Sequence, residues 1–136
     1  MEIGNIKIII EEGKRPSVEA QLVNNTVWMS KATMARLLNC FNQKIEMNLR
    51  SIFKSRLLWE QDVSQTYRYN DNGIEKQIVY YNLEVLIFLS YRIATFESKV
   101  FRQFVNSALR KHLKKKKLRE ERLFWLFNPN QSYWLN

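Results

Sequence analysis

The sequence predicts a single α+β domain with two β-hairpins and about four main helices. Runs of β-branched and aromatic residues flank turn-forming residues at two places, and segments with helical apolar spacing lie between and after them. A length of 136 residues suits one domain. Hydrophobic residues make up 46% of the chain, against 3 Gly and 2 Pro, which is typical of a folded globular protein and not of a disordered one.

The first hairpin is predicted from strands over Ile6–Glu11 and Val18–Val23. The connecting turn, residues 12–16, includes Gly13 and Pro16, which favour a turn. In the second strand, apolar residues alternate with polar ones, and we expect three of them to point inward: Val18, Ala20 and Leu22.

Two short helices are predicted next. Asn24-Asn25 indicates a tight turn into a short strand over 26–29, after which Ser30 can cap the first helix, Lys31–Asn39. Asn39 is suited to the left-handed conformation that ends a helix. The second helix is predicted over Gln43–Ser55, because apolar residues recur there at helical spacing: Ile45, Leu49, Ile52 and Phe53.

The second hairpin is predicted from Gln65–Tyr69 and Glu75–Tyr81, joined by the turn 70–73. A largely apolar helix over Leu83–Ile93 follows, with Asn82 as its N-cap. The last helix is predicted over Phe96–Lys116. Its expected buried stripe is Val100, Phe101, Phe104, Val105, Ala108 and Leu109.

Two short helices joined by about three residues form a helix-turn-helix pattern, and the hairpin over 65–81 would lie beside it as a wing. The sequence therefore predicts a winged helix-turn-helix-like domain over residues 1–123. Residues 124–136 are predicted to form an aromatic C-terminal tail.

Charge favours an anionic partner. The formal net charge is +9, from 22 basic and 13 acidic residues. Residues 99–122 hold ten basic residues against two acidic ones, and residues 30–58 hold six against Glu46 alone. Because the second block coincides with the helix pair, we expect double-stranded DNA as the partner, read in the major groove.

The expected DNA contacts fall into two groups. Side chains in the first turns of the second helix are placed to reach base edges, and cations further along are placed to meet phosphates. The full predicted set is Lys31, Asn42, Gln43, Lys44, Met47, Arg50, Lys54 and Arg68. The run Lys114, Lys115, Lys116 and Lys117 is at most a non-specific phosphate contact, and such a run is more often a solvated helix end.

We predict no enzymatic activity, no cofactor and no metal site. One cysteine, Cys40, and one histidine, His112, cannot form a zinc site of several Cys and His ligands, and no paired acid/base constellation or phosphate-binding loop stands out. The longest apolar run is far shorter than a membrane span, and no signal-peptide pattern is present at Met1-Glu2. We therefore expect a cytoplasmic protein without membrane insertion.

An ordered series of short motifs carries a family resemblance. They are Thr26–Lys31, Met34–Leu38, Ile45, Ile52-Phe53, Val79–Ile87, Tyr91–Ile93, Phe101-Arg102 and Glu120–Leu123. This series resembles the N-terminal module of the RhuM family of virulence-associated and mobile-element proteins, with distant similarity to the Bro-N domains of phage antirepressors. The resemblance implies a helix-turn-helix-like module of a mobile-element or phage-related protein. Asn39 stands where the family usually has Gly, and Asn42-Gln43-Lys44 replaces a Ser/Thr-rich helix start, so no sequence preference carries over.

Two other functions fit the same residues. The basic helices would also suit an antirepressor-like module that binds an acidic protein, and the lysine run would suit an anionic membrane surface. A helix-turn-helix reader is further expected to form a homodimer, and the aromatic residues from Phe124 to Trp134 are a candidate contact.

Overall fold

A computed structural model describes residues 2–127. These residues divide into two compact units, 2–104 and 105–127. The elements in order are β1 (Asn5–Ile9), β2 (Ser17–Gln21), β3 (Trp28–Met29), α1 (Lys31–Leu37), α2 (Asn42–Lys54), α3 (Glu60–Val63), β4 (Ser64–Asp71), β5 (Ile74–Asn82), α4 (Leu83–Arg92) and α5 (Phe96–Phe127). The predicted α+β class is confirmed.

The strands form two antiparallel sheets. Strands β1 and β2 make a two-stranded sheet, and β3, β5 and β4 make a three-stranded sheet with β5 in the centre. Asn72 and Gly73 both have positive φ, which is the geometry of a two-residue hairpin turn and explains why these residue types stand there. Both predicted hairpins are therefore confirmed, and the short strand β3 joins the second one.

The core of the first unit lies between the helices and the three-stranded sheet. Helix α1 buries Met34 and Ala35, and the middle of α4 contributes Val85, Leu86, Leu89 and Ser90, which agrees with its apolar run. The other fully buried large side chains include Ile45 and Ile52 of α2, Leu38, Ile93 and Phe101.

Local signals set the ends of the helices. The Ser30 hydroxyl accepts a hydrogen bond from the Thr33 amide at 3.2 Å, and the Asn82 side chain accepts one from the Val85 amide at 3.3 Å. Asn39 has a φ of 53°. These three roles agree with the sequence-based predictions, although α1 ends at Leu37, two residues earlier than predicted.

Helix α5 differs most from the prediction. It continues to Phe127 instead of ending at Lys116, so Phe124–Phe127 belong to the helix, and residues 128–136 of the predicted tail lie outside the described residues. Its predicted buried stripe was wrong beyond Val105, since Ala108 is exposed and Leu109 is 54% exposed. Helical spacing identifies a common face but cannot show whether anything packs on that face.

Two further corrections concern shorter segments. Ala20 and Leu22 are exposed, so the predicted inward face of the first hairpin is wrong at both positions, while Val18 is half-buried. The one-turn helix α3 was not predicted, because its four residues are too few for a periodic pattern to be visible.

Candidate nucleic-acid interface

Helix α2 has two opposite faces. Its buried residues are Ile45, Leu49 and Ile52. Gln43, Met47, Arg50 and Lys54 follow one another at i, i+4, i+7 and i+11, so at about 100° per residue they form one stripe on the other side of the helix. All four are exposed, and Met47 retains 54% of its accessible surface. We call these four residues the α2 stripe.

The chain enters α2 at Phe41, which has an extended backbone and offers no side-chain cap. Phe41 is 87% exposed, the largest exposed fraction among the large hydrophobic residues of the described chain. Asn42 and Gln43, the first two helical residues, are also exposed, and their amides are among those that helix geometry leaves without an intrahelical acceptor. An apolar ring, two side-chain amides and free backbone donors therefore meet at this end of the helix.

Phe41 was missed by sequence reasoning. It lies four residues before Ile45, so helical spacing would place it on the buried face of α2. Because the helix begins only at Asn42, the Phe41 backbone is extended and the ring points into solvent. No pattern in the sequence shows that exposure.

The turn between α1 and α2 is held by contacts to the start of α5. The Thr95 hydroxyl donates to the Leu38 carbonyl at 2.6 Å, and the Asn39 side-chain amide donates to the Glu97 carboxylate at 3.4 Å. Within the turn, the Cys40 amide donates to the Ala35 carbonyl at 2.9 Å. These contacts fix the direction in which α2 leaves the turn.

Lys44 lies on the flank of α2 next to this turn. Partial burial raises the pKa of the Cys40 thiol above its ordinary value, and the positive charge of Lys44 lowers it by a smaller amount. The side chain of Lys44 is exposed, and its backbone carbonyl accepts a hydrogen bond from the Asn48 side chain at 2.9 Å. A cation is thus available at the same end of the helix as Phe41 and Gln43.

The opposite flank of α2 borders an open cleft of about 360 Å³. It is lined by Lys31, Glu46, Leu49, Arg50, Phe53, Glu60 and Tyr81. The Lys31 ammonium lies 3.9 Å from the Glu46 carboxylate. Burial raises the pKa of the Tyr81 phenol, and the charges of Glu60 and Glu46 raise it further. Two carboxylates balance two cations here, so the cleft offers an anion no net attraction.

The predicted contact residues therefore fall on different parts of the structure. Six of them lie on the exposed side of α2: Asn42, Gln43, Lys44, Met47, Arg50 and Lys54. Lys31 is engaged with Glu46, and Arg50 belongs to the α2 stripe while it also lines the cleft.

Arg68 lies on a different element, β4, opposite Gln77 of β5. It is exposed, and strand alternation places it on the other side of β4 from Tyr67 and Tyr69, whose rings stack with centroids 6.2 Å apart. Arg68 makes no hydrogen bond or ion pair with α2, so it joins the site only if a ligand spans both elements.

Lys114–Lys117 lie in the second unit, on α5, where all four are exposed. Neighbouring cations border a shallow groove of about 270 Å³, lined by Lys115, Leu118, Arg119 and Arg122. These residues present positive charge along the helix, without a buried polar group that would make the groove specific for one anion.

Among residues 2–127, no group of three or more His, Cys, Asp or Glu side chains is arranged to hold a metal ion. None of the helices in that range is both long and apolar enough to span a bilayer. Comparison with known proteins gave no match to a family model, to a curated protein or to a solved structure.

Proposed function

We propose that this protein binds double-stranded DNA through the exposed side of α2, as a helix-turn-helix module with the β4–β5 hairpin as its wing. The observation that carries the proposal is the α2 stripe, which places two cations and two uncharged reading side chains opposite the buried face of one helix. A convex helix with a basic outer face suits the major groove, which admits a single α-helix.

The stripe has a direction that fits this role. Gln43 and Lys54 are eleven residues apart, which corresponds to about 16 Å along a helix, more than the roughly 12 Å width of the major groove. If the Gln43 end reaches the bases, the Lys54 end lies at the phosphate backbone. Gln43 and Asn42 would then pair with adenine, and Lys44 would donate to guanine.

Charge balance supports the same orientation. Glu46 is the one acidic side chain of α2, and it would repel phosphates if its charge were unopposed. Lys31, at 3.9 Å, offsets that charge on the cleft flank of the helix, where Glu46 neighbours Arg50 of the stripe. The stripe thus keeps the positive potential that sequence-independent binding requires.

We also propose that the chain is a RhuM-like module of a mobile-element or phage-related protein. Several residues of the resemblance have structural roles that explain the motifs physically. Asn82 caps α4, Phe101 is 1% exposed, and Arg102 donates to the Ser90 and Ile93 carbonyls at the end of α4. These motif residues support the domain, and the α2 stripe binds DNA.

The test is the salt dependence of binding to a labelled random-sequence duplex, measured by fluorescence anisotropy from about 50 to about 300 mM salt. The variant Lys44→Gln/Arg50→Gln/Lys54→Gln removes three exposed cations from α2. Because Arg50 and Lys54 each meet one phosphate in this arrangement, the slope of log K against log salt becomes shallower by about 2.

A matched control removes three exposed cations of the first hairpin in the same unit, as Lys7→Gln/Lys14→Gln/Arg15→Gln. It has the same net charge as the α2 variant, and we expect it to keep nearly the native slope. Equal slopes in the two variants would show that α2 is not the contact. Failure of the native chain to bind at low salt would reject DNA as the ligand and favour an acidic protein partner.

A further inference from the structure

The second unit carries a regular stripe, apolar at both ends and charged at its centre, that DNA binding does not explain. Six residues of α5 are spaced alternately four and three residues apart. They are Leu109, Leu113, Lys116, Glu120, Leu123 and Phe127. This is the a/d spacing of a coiled coil, which keeps its members on one seam of the helix. We call these six residues the α5 seam.

The seam is exposed along its whole length. Leu109, Leu113, Leu123 and Phe127 have exposed fractions of 54%, 53%, 52% and 76%, and none of the residues from 105 to 127 is buried. An isolated helix in water has little stability of its own, and most helices in proteins are held by packing of an apolar face. The apolar ends of the seam therefore require a partner surface.

We propose that the α5 seam pairs with the α5 seam of a second copy of this chain, antiparallel, in a two-helix coiled coil. A twofold axis near Leu118 places each seam residue opposite a seam residue of the second copy. Leu109 faces Phe127 of the second copy, Leu113 faces Leu123, and Lys116 faces Glu120. Each apolar residue meets an apolar one, and each charge meets the opposite charge, twice per dimer.

Charge complementarity decides the orientation. In a parallel pair the same positions meet, so Lys116 would face the second Lys116 and Glu120 the second Glu120. Both central layers would then be repulsive. In the antiparallel pair the same two layers hold ion pairs, so the polar centre of the seam specifies direction as well as partner.

The flanking charges oppose association. From residue 105 to residue 127 there are eight basic and two acidic residues. Near the axis, Lys117 approaches Lys117 of the second copy, and Arg119 approaches Arg119 of the second copy. Salt screens this repulsion between exposed charges strongly. It weakens the Lys116–Glu120 pairs less, because these pairs lie between the two helices with apolar residues on either side. We therefore expect the dimer to form more readily at about 0.3 M salt than at about 0.05 M salt.

The test is sedimentation equilibrium of the full chain up to about 200 µM, without DNA. The native chain should form dimers. Lys116→Glu and Glu120→Lys should each weaken dimerisation at least about tenfold, because each places like charges together in both central layers. The double variant Lys116→Glu/Glu120→Lys should restore the native dimer, since the ion pairs reform with exchanged signs.

The control is Lys115→Glu, which makes the same charge change next to Lys116 but off the seam. It should leave the dimer intact or strengthen it by reducing the net charge. A native chain that stays monomeric at both salt concentrations would overturn the proposal. So would a double variant that dimerises no better than the single ones, because only the antiparallel register predicts rescue. Neither result depends on whether the protein binds DNA.

Discussion

Phe41 stands immediately before α2 with 87% of its surface exposed, next to the residues that we propose read bases. An apolar side chain at a base edge favours the methyl group of thymine. We predict that replacing thymine by deoxyuridine in an A·T-rich duplex weakens binding of the native chain by about threefold, and that Phe41→Ala abolishes this difference.

The salt slope separates this prediction from a change in phosphate contacts. Phenylalanine carries no charge, so Phe41→Ala should leave the slope of log K against log salt unchanged. Its exposed ring also predicts no loss of thermal stability. A native chain that binds both duplexes equally would show that Phe41 does not contact thymine.

Asn39 allows the turn between α1 and α2 with a φ of 53°. A side chain with a Cβ is disfavoured there, and asparagine tolerates the conformation better than alanine does. We expect Asn39→Ala to lower the free energy of unfolding by about 1 kcal/mol relative to Asn39→Gly, as measured by urea denaturation. Both variants lose the hydrogen bond to Glu97, so the difference isolates the backbone. Equal stabilities would contradict a conformational role.

Among the elements, α4 depends on α5 for its C-terminal end. Arg102 donates to the Ser90 and Ile93 carbonyls, which stand where a helix leaves acceptors without partners. Arg102→Met keeps most of the apolar stem and removes the donors. We predict a loss of about 1.5 to 3 kcal/mol in the free energy of unfolding, because these hydrogen bonds come from a charged group.

The control for this prediction lies on α4 itself. Arg92 is in the last turn of α4 and is exposed, so Arg92→Met should cost less than about 0.5 kcal/mol. If the two variants lose the same stability in urea denaturation, general charge near the helix end accounts for the effect. In that case the specific hydrogen bonds of Arg102 do not.

Across the whole molecule, the sequence predicts those features of the fold that neighbouring residues in the chain determine. The hairpins and most helix bounds follow from residue types that favour one local conformation. These are the helix caps Ser30 and Asn82, the left-handed Asn39 and the Asn72-Gly73 turn. The buried face of α2 was likewise predicted from spacing.

Two of the remaining features depend on tertiary packing and not on local signals. Phe41 has the spacing of a core residue and is exposed, and Lys31 has the charge of a phosphate contact and pairs with Glu46. In both cases the deciding fact is which surface lies opposite the side chain. The extent of α5 is different: the lysine run 114–117 suits the end of a helix, yet α5 continues to Phe127 through residues of good helix propensity.

If the exposed side of α2 contacts DNA, the methionines report that contact directly. Met47 lies in the α2 stripe, whereas Met29 and Met34 are 5% and 0% exposed in the core. With ¹³C-methyl-labelled methionine, adding a duplex should shift and broaden the Met47 methyl resonance and leave the Met29 and Met34 methyls in place. If saturating DNA leaves the Met47 resonance unchanged, the exposed side of α2 does not contact DNA.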